Sequence, residues 1–156
     1  MFDSSGAFSG FAVDDLVKAR QFYETTLGMT VTEQNGLLTL TVANGARVLV
    51  YPKPNHEPAT FTILNFPVAD VEAAVDDLAG RGITFERYEG FEQDGKGIFR
   101  GGGPLIAWFT DPAGNVLRLD GAIPDEELLE AVDASYDMVV AKLPKRNRPP
   151  GWTPSR

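Results

Sequence analysis

The chain has 156 residues, 43% of them hydrophobic, enough for one globular domain with a real core. Cysteine is absent, which excludes disulfides, thiolate nucleophiles and cysteine metal sites, and no run of about 18 apolar residues exists to cross a membrane as a helix. A net charge of −8 and a pI near 4.6 argue against a nucleic-acid surface, and the opening residues lack the basic-then-apolar pattern of a secretory signal, so a cytoplasmic protein is expected.

In chain order, 8–13 reads as a strand ending at Asp14 and Asp15, and Asp15 can cap a helix by accepting from an orphan backbone N–H. Leu16, Ala19, Phe22, Tyr23 and Leu27 recur at helical spacing, and Gly28 supplies the permissive backbone that ends a helix. Asn35-Gly36 and Asn44-Gly45 both carry the residue pair of a type I′ hairpin turn, so they separate strands at about 29–34, 37–43 and 46–51. The proline-rich stretch 51–58 is a connector, too poor in N–H donors for a central strand.

The second half then repeats the first about 55 residues later. Phe66, Val68, Asp70, Val71 and Ala74 match Phe11, Val13, Asp15, Leu16 and Ala19, and Gly82-Ile83-Thr84-Phe85 matches Gly28-Met29-Thr30-Val31. A strand from Thr60 to Val68, a helix capped by Asp70 and a strand over 83–88 are expected, followed by a glycine-rich loop over 89–104. That loop reads either as a mobile lid bearing Phe99 and Arg100 or as a surface hairpin without a role. Final strands at 105–110 and 116–119 flank the turn Asp111-Pro112-Ala113-Gly114-Asn115. Pro124 opens an appended helix whose apolar stripe runs from Leu128 to Leu143, and a basic, proline-rich tail follows Pro144.

The organisation is therefore α+β, with two paired βαβββ modules over about 7–52 and 60–120 inside a domain spanning 1–121, and an appendage over 122–156. Neither module alone buries its sheet, so curved mixed sheets should close around a cleft.

The openings Phe11-x-Val13-x-Asp15-Leu16, Phe22-Tyr23 and Leu27-Gly28, with the closing Trp108-Phe109-Thr110-Asp111-Pro112-x-Gly114-Asn115-Val116, resemble the vicinal oxygen chelate superfamily. That superfamily includes glyoxalase I, extradiol dioxygenases, fosfomycin-resistance enzymes and bleomycin-resistance binding proteins, and the resemblance covers about 8–120. It implies a divalent metal held by His, Gln or Glu on four strands. Counting seven residues back from the capping aspartates gives Phe8 and Ile63, the last strand offers Arg118, and 48–51 holds no carboxylate or imidazole. These side chains donate nothing to a cation, so no metal and no cofactor are expected. The resemblance also implies a homodimer, for which the appended stripe would serve; packing back on its own subunit is the competing possibility.

Strand alternation places Phe8, Phe61, Ile63, Asn65 and Arg118 on the cleft faces as ligand-binding candidates, with Arg118 either holding a substrate oxygen or paired internally with an acid. His56, the only histidine, and neighbouring Glu57 are the catalytic candidates, against the plainer reading of His56 as a loop residue. The resulting expectation is a metal-free binder of a small organic ligand such as an antibiotic or aromatic compound. The alternatives are a metal-independent isomerase, lyase or hydrolase, a metal-dependent glyoxalase or dioxygenase if the ligand positions are misread, and a module that grips another protein.

Overall fold

The structure, a computed structural model, describes residues 2–122. The expected C-terminal helix and the basic tail lie outside the described residues. Module one comprises β1 (Ser9–Val13), α1 (Leu16–Arg20), β2 (Thr30–Gln34), β3 (Leu37–Thr41) and β4 (Arg47–Pro52). Module two comprises β5 (Thr62–Val68), α2 (Val71–Gly80), β6 (Ile98–Phe99), β7 (Ile106–Thr110) and β8 (Val116–Gly121). Each module forms one four-stranded sheet, in the orders β1-β4-β3-β2 and β5-β8-β7-β6, and in each the first strand pairs parallel to the last. The two-module α+β organisation is thus present as the repeat implied.

Both helices start where an aspartate can receive backbone N–H groups. Asp15 Oδ1 accepts from Val17 and Lys18, each at 3.0 Å, and Asp70 Oδ1 accepts from Ala73 at 3.0 Å. Alternation then decides the faces. Leu38, Leu40 and Val50 of the first sheet, and Ala107, Phe109, Leu117 and Leu119 of the second, point toward the helices and are buried. These side chains join Val13, Tyr23, Val71 and Val75 in one core shared by both modules.

Four local expectations are corrected. The first helix is α-helical only over Leu16–Arg20; Gln21–Thr26 widens into a π-helix, marked by Leu27 N–H donating to Phe22 O at 2.9 Å. The wider turn accompanies the burial of Tyr23, whose hydroxyl is held by module two. At 44–45 the chain makes a 3₁₀ turn, Ala43–Gly45, rather than a type I′ hairpin; Asn35 and Gly36 do adopt the positive φ values of such a turn, 54° and 73°.

The strand expected over 83–88 shrinks to one bridge between Phe85 and Phe109. The side chain of Gln93 supplies the reason, because Oε1 accepts from Tyr88 N–H at 2.7 Å and Nε2 donates to Glu86 O at 2.9 Å, occupying groups that a ladder would use. The edge position beside β7 passes instead to Ile98 and Phe99, inside the stretch expected to be loop. Lastly, β5 carries a bulge between Thr62 and Leu64. The extra residue breaks the simple alternation that put Phe61, Ile63 and Asn65 on one face.

Candidate functional site

The turn between β7 and β8 joins the modules. Asp111, 4% exposed, accepts four hydrogen bonds. Its Oδ1 takes the N–H groups of Ala113 and Asn115, both at 2.9 Å, and its Oδ2 takes Tyr23 Oη at 2.8 Å and Asn115 Nδ2 at 3.0 Å. Asn115 spends its second amide proton on Ala12 O of β1, at 3.0 Å. Burial, reinforced by the Asp111 carboxylate, pushes the Tyr23 phenol well above its ordinary pKa, so it remains a donor at any working pH. One acid and one amide of module two thereby hold the helix and first strand of module one, with both carboxylate oxygens of Asp111 and both amide protons of Asn115 paired.

The connector is clasped to the same turn. His56 Nε2 lies 3.1 Å from Ala113 O, and since a carbonyl only accepts, Nε2 carries the proton. Nδ1 is buried and lacks a hydrogen-bond partner among the described residues. Pro58 packs against Gly114, where φ is 83° and an added Cβ would sit 3.2 Å from the proline ring. A side chain there is disfavoured by the backbone conformation, and the proline ring would have to give by a few tenths of an ångström to admit it.

Beside this clasp lies a cavity of about 420 Å³, within the range of small-molecule sites. Both modules build it. Ser9, Gly10, Phe11 and Ala12 of β1 form one wall, and Phe61, Thr62 and Ile63 at the start of β5 form the other. Tyr51, Lys53, His56 and Glu57 close the connector side, and Asn115 reaches its floor. Apolar surface therefore meets one cation, one carboxylate and one carboxamide.

The structure divides the sequence candidates among three places. Phe61, Ile63, His56 and Glu57 meet at this cavity. Phe8, 63% exposed, instead borders a separate hollow of about 120 Å³ with Thr39, Arg47 and Leu49 on the first sheet. Asn65 and Arg118 are cross-strand neighbours on the solvent-facing side of the second sheet. There Arg118 is paired internally, with Nη2 and Nε at 2.7 and 3.0 Å from Asp120 Oδ2.

Sequence reasoning missed Lys53, Tyr51 and Asn115 as lining residues. Asn115 stood within the quoted turn motif, but its reach across to Ala12 depends on contacts 103 residues apart.

Of the His, Gln and Glu side chains that the resemblance calls for, the described residues bring His56 and Glu57 to the cavity, and the proton-bearing nitrogen of His56 is already committed to Ala113 O. Among the described residues no three His, Cys, Asp or Glu side chains gather in a way that could hold a metal. This donor set does not fit the divalent cation that the resemblance implies.

The loop at 89–104 is pinned rather than loose. Gln93 Nε2 also donates to Gly97 O at 2.7 Å, Lys96 reaches Asp76 on α2 at 2.7 Å, and Arg100 bridges Asp94, at 2.8 Å, and Glu72. Phe91 and Phe99 thereby pack with Tyr88 and Trp108, at ring separations of 5.6–6.2 Å. Among the described residues no helix is long and apolar enough to cross a membrane.

Known structures share this architecture. A glyoxalase family protein from Enterococcus faecalis has a TM-score of 0.57 at 20% identity, covering 77% of this chain and 99% of that one. TnmS3, an antibiotic binding protein from Streptomyces sp. CB03234, gives 0.54 at 22% identity over 77% and 98% of the two chains. The fosfomycin resistance protein FosX from Listeria monocytogenes gives 0.61 at 14% identity, over 83% and 99%. At such identities these likenesses establish the fold alone. A search of curated proteins gave no match. The family described as Glyoxalase/Bleomycin resistance protein/Dioxygenase superfamily matches residues 8–119, and with the paired βαβββ modules described above, the chain belongs to that superfamily.

Proposed function

We propose that this protein binds a small organic molecule in the cavity between its modules, without a metal. The observation that carries the proposal is the cavity itself: about 420 Å³, walled by both modules, with aromatic and aliphatic side chains set among polar groups on the walls and at the connector. Phe61, Tyr51 and Ile63 would supply contact area, while Lys53, Glu57 and Asn115 would orient polar groups of the ligand. The relative described as an antibiotic binding protein supports this class of ligand, as does the relative described as a fosfomycin resistance protein. A cysteine-free chain suits a reducing cytoplasm, where we place the protein, and a homodimer is the assembly we expect from its superfamily.

The test is a thermal-shift screen of full-length protein against antibiotics, aromatic acids and dicarbonyls, with product analysis on each hit. A ligand at a hundred times its Kd should stabilise the protein by about 2.7 kcal/mol, without turnover. Phe61→Ala serves as the control, because Phe61 is 68% exposed and its loss should leave the ligand-free stability within about 0.5 kcal/mol. The expected result is that this variant keeps its own stability and loses most of the ligand-induced shift. An unchanged shift would place the ligand elsewhere. Product formation would make the protein an enzyme.

A further inference from the structure

The two walls of the cavity are strand edges, and this points to a ligand class. Among the described residues, β1 and β5 are the outermost strands of their sheets, paired only to β4 and β8 respectively. Along any strand, successive peptide groups point to opposite sides. Val13 O receives Lys53 N–H at 2.8 Å from the β4 side, so the groups of Val13, Phe11 and Ser9 face β4. The N–H and C=O groups of Gly10 and Ala12 therefore face away from β4, toward the cavity that both residues line.

The hydrogen bond from Asn115 confirms the direction, since its Nδ2 reaches Ala12 O at 3.0 Å from the module-two side. Among the described residues it is the hydrogen bond this edge makes. An amide N–H thus already stands where a neighbouring strand would place one. Gly10 brings no side chain to this edge, and a Cβ there would press on β4, at 3.0 Å from Leu49 O and 3.3 Å from Leu49 Cβ. On the facing wall, β5 contains Pro67, which a sheet accepts where its missing N–H faces a free edge. An unpaired edge is a template for another strand unless something covers it.

We propose that the cavity takes an extended, amide-bearing ligand of the peptide class, which pairs along β1 through Gly10 and Ala12. This inference rests on the cavity proposed above as the ligand site and names what it recognises. Main-chain pairing would supply affinity, with Phe61 and Ile63 contacting alternate side groups of the ligand. Lys53 and Glu57 at the connector would meet its polar or terminal groups.

The test uses ¹⁵N-labelled full-length protein titrated with an acetylated and amidated tetrapeptide of alternating threonine and valine. Two further peptides carry N-methyl groups either at the valine amides or at the threonine amides. The expected result is that the Gly10 and Ala12 amide signals move more than that of Phe11, whose N–H faces β4. One N-methylated peptide should bind roughly tenfold or more weakly, and the other close to the parent. That alternation is the signature of strand pairing.

Equal weakening by both methylated peptides, or signals of Gly10 and Ala12 that stay still at saturating peptide, would overturn the inference. So would shifts that follow protein concentration without peptide, which would assign the edge to a second copy of the chain. If the peptides fail while a thermal-screen hit still moves the Phe61 and Ile63 signals, the cavity stands and the peptide class falls. If neither moves them, both readings fall.

Discussion

At the scale of single residues, the junction depends on Tyr23, Asp111 and Asn115. Asp111 takes two side-chain donors and two backbone donors, so its acceptor sites are filled. Tyr23→Phe keeps the ring and its packing against Phe11 and Phe22 while removing a hydrogen bond to a carboxylate. The expected cost is about 1.5–3 kcal/mol, read as a lower urea midpoint with an unchanged m-value. An unchanged midpoint would mean that the pair contributes nothing to holding the modules together. His56 acts here as a clasp on Ala113 O. His56→Ala should therefore lower stability by about 0.5–1.5 kcal/mol, measured in the same denaturation experiment. The motif around Asp111 was visible in the sequence as a turn, whereas its role as a bolt was not. Tyr23 looked like one more apolar position on a helix, and nothing local marks its hydroxyl as the partner of a residue 88 positions away.

At the scale of elements, the loop over 89–104 yields a prediction in pH. Partial burial pushes Asp94 upward, but hydrogen bonds from the Ile98 and Lys96 N–H groups and from Arg100 outweigh it and hold its carboxyl below the ordinary 3.8. A carboxyl with a lowered folded pKa stabilises fully above its unfolded value and loses that contribution as pH falls through the folded one. The order of the loop should thus be constant from neutral pH down to 3.8 and fade only below it. The Ile98 amide shift reports this directly, with an expected midpoint under 3.8 that disappears in Asp94→Asn. A midpoint at or above 3.8 would show that Asp94 does not hold the loop.

The elements built on period and caps were legible: both helix starts, the Asn35-Gly36 hairpin, and the repeat of strand, helix and strands. The loop was not, because Ile98 and Phe99 make too short a strand to show alternation. The hydrogen bonds that displace 83–88 from the ladder come from one glutamine side chain. The π-helical turn escaped for a similar reason, since its apolar spacing suits an α-helix equally well.

At the scale of the whole molecule, duplication places two edge strands beside each other, and the space between them belongs to neither module alone. This is why the candidate site was only half legible. Strand parity selected Phe61 and Ile63, which line the cavity, together with Phe8, Asn65 and Arg118, which do not. Parity assigns a residue to a face and says nothing of which edges meet. Arg118, 31% exposed and bound to Asp120, should tolerate Arg118→Met with ligand affinity at the inter-module cavity changed less than about threefold. A larger loss of affinity, measured by titration with a thermal-screen hit, would return the guanidinium to the binding site.

The most direct test of a shared inter-module site is nuclear Overhauser contact between a bound ligand and the methyl groups of Ala12 and Ile63, which stand on opposite walls. The predicted result is contact with both methyls in one complex, at full-length protein and saturating ligand. Contacts confined to one module, or to the Arg118 and Trp108 face of the second sheet with Ala12 and Ile63 silent, would contradict it.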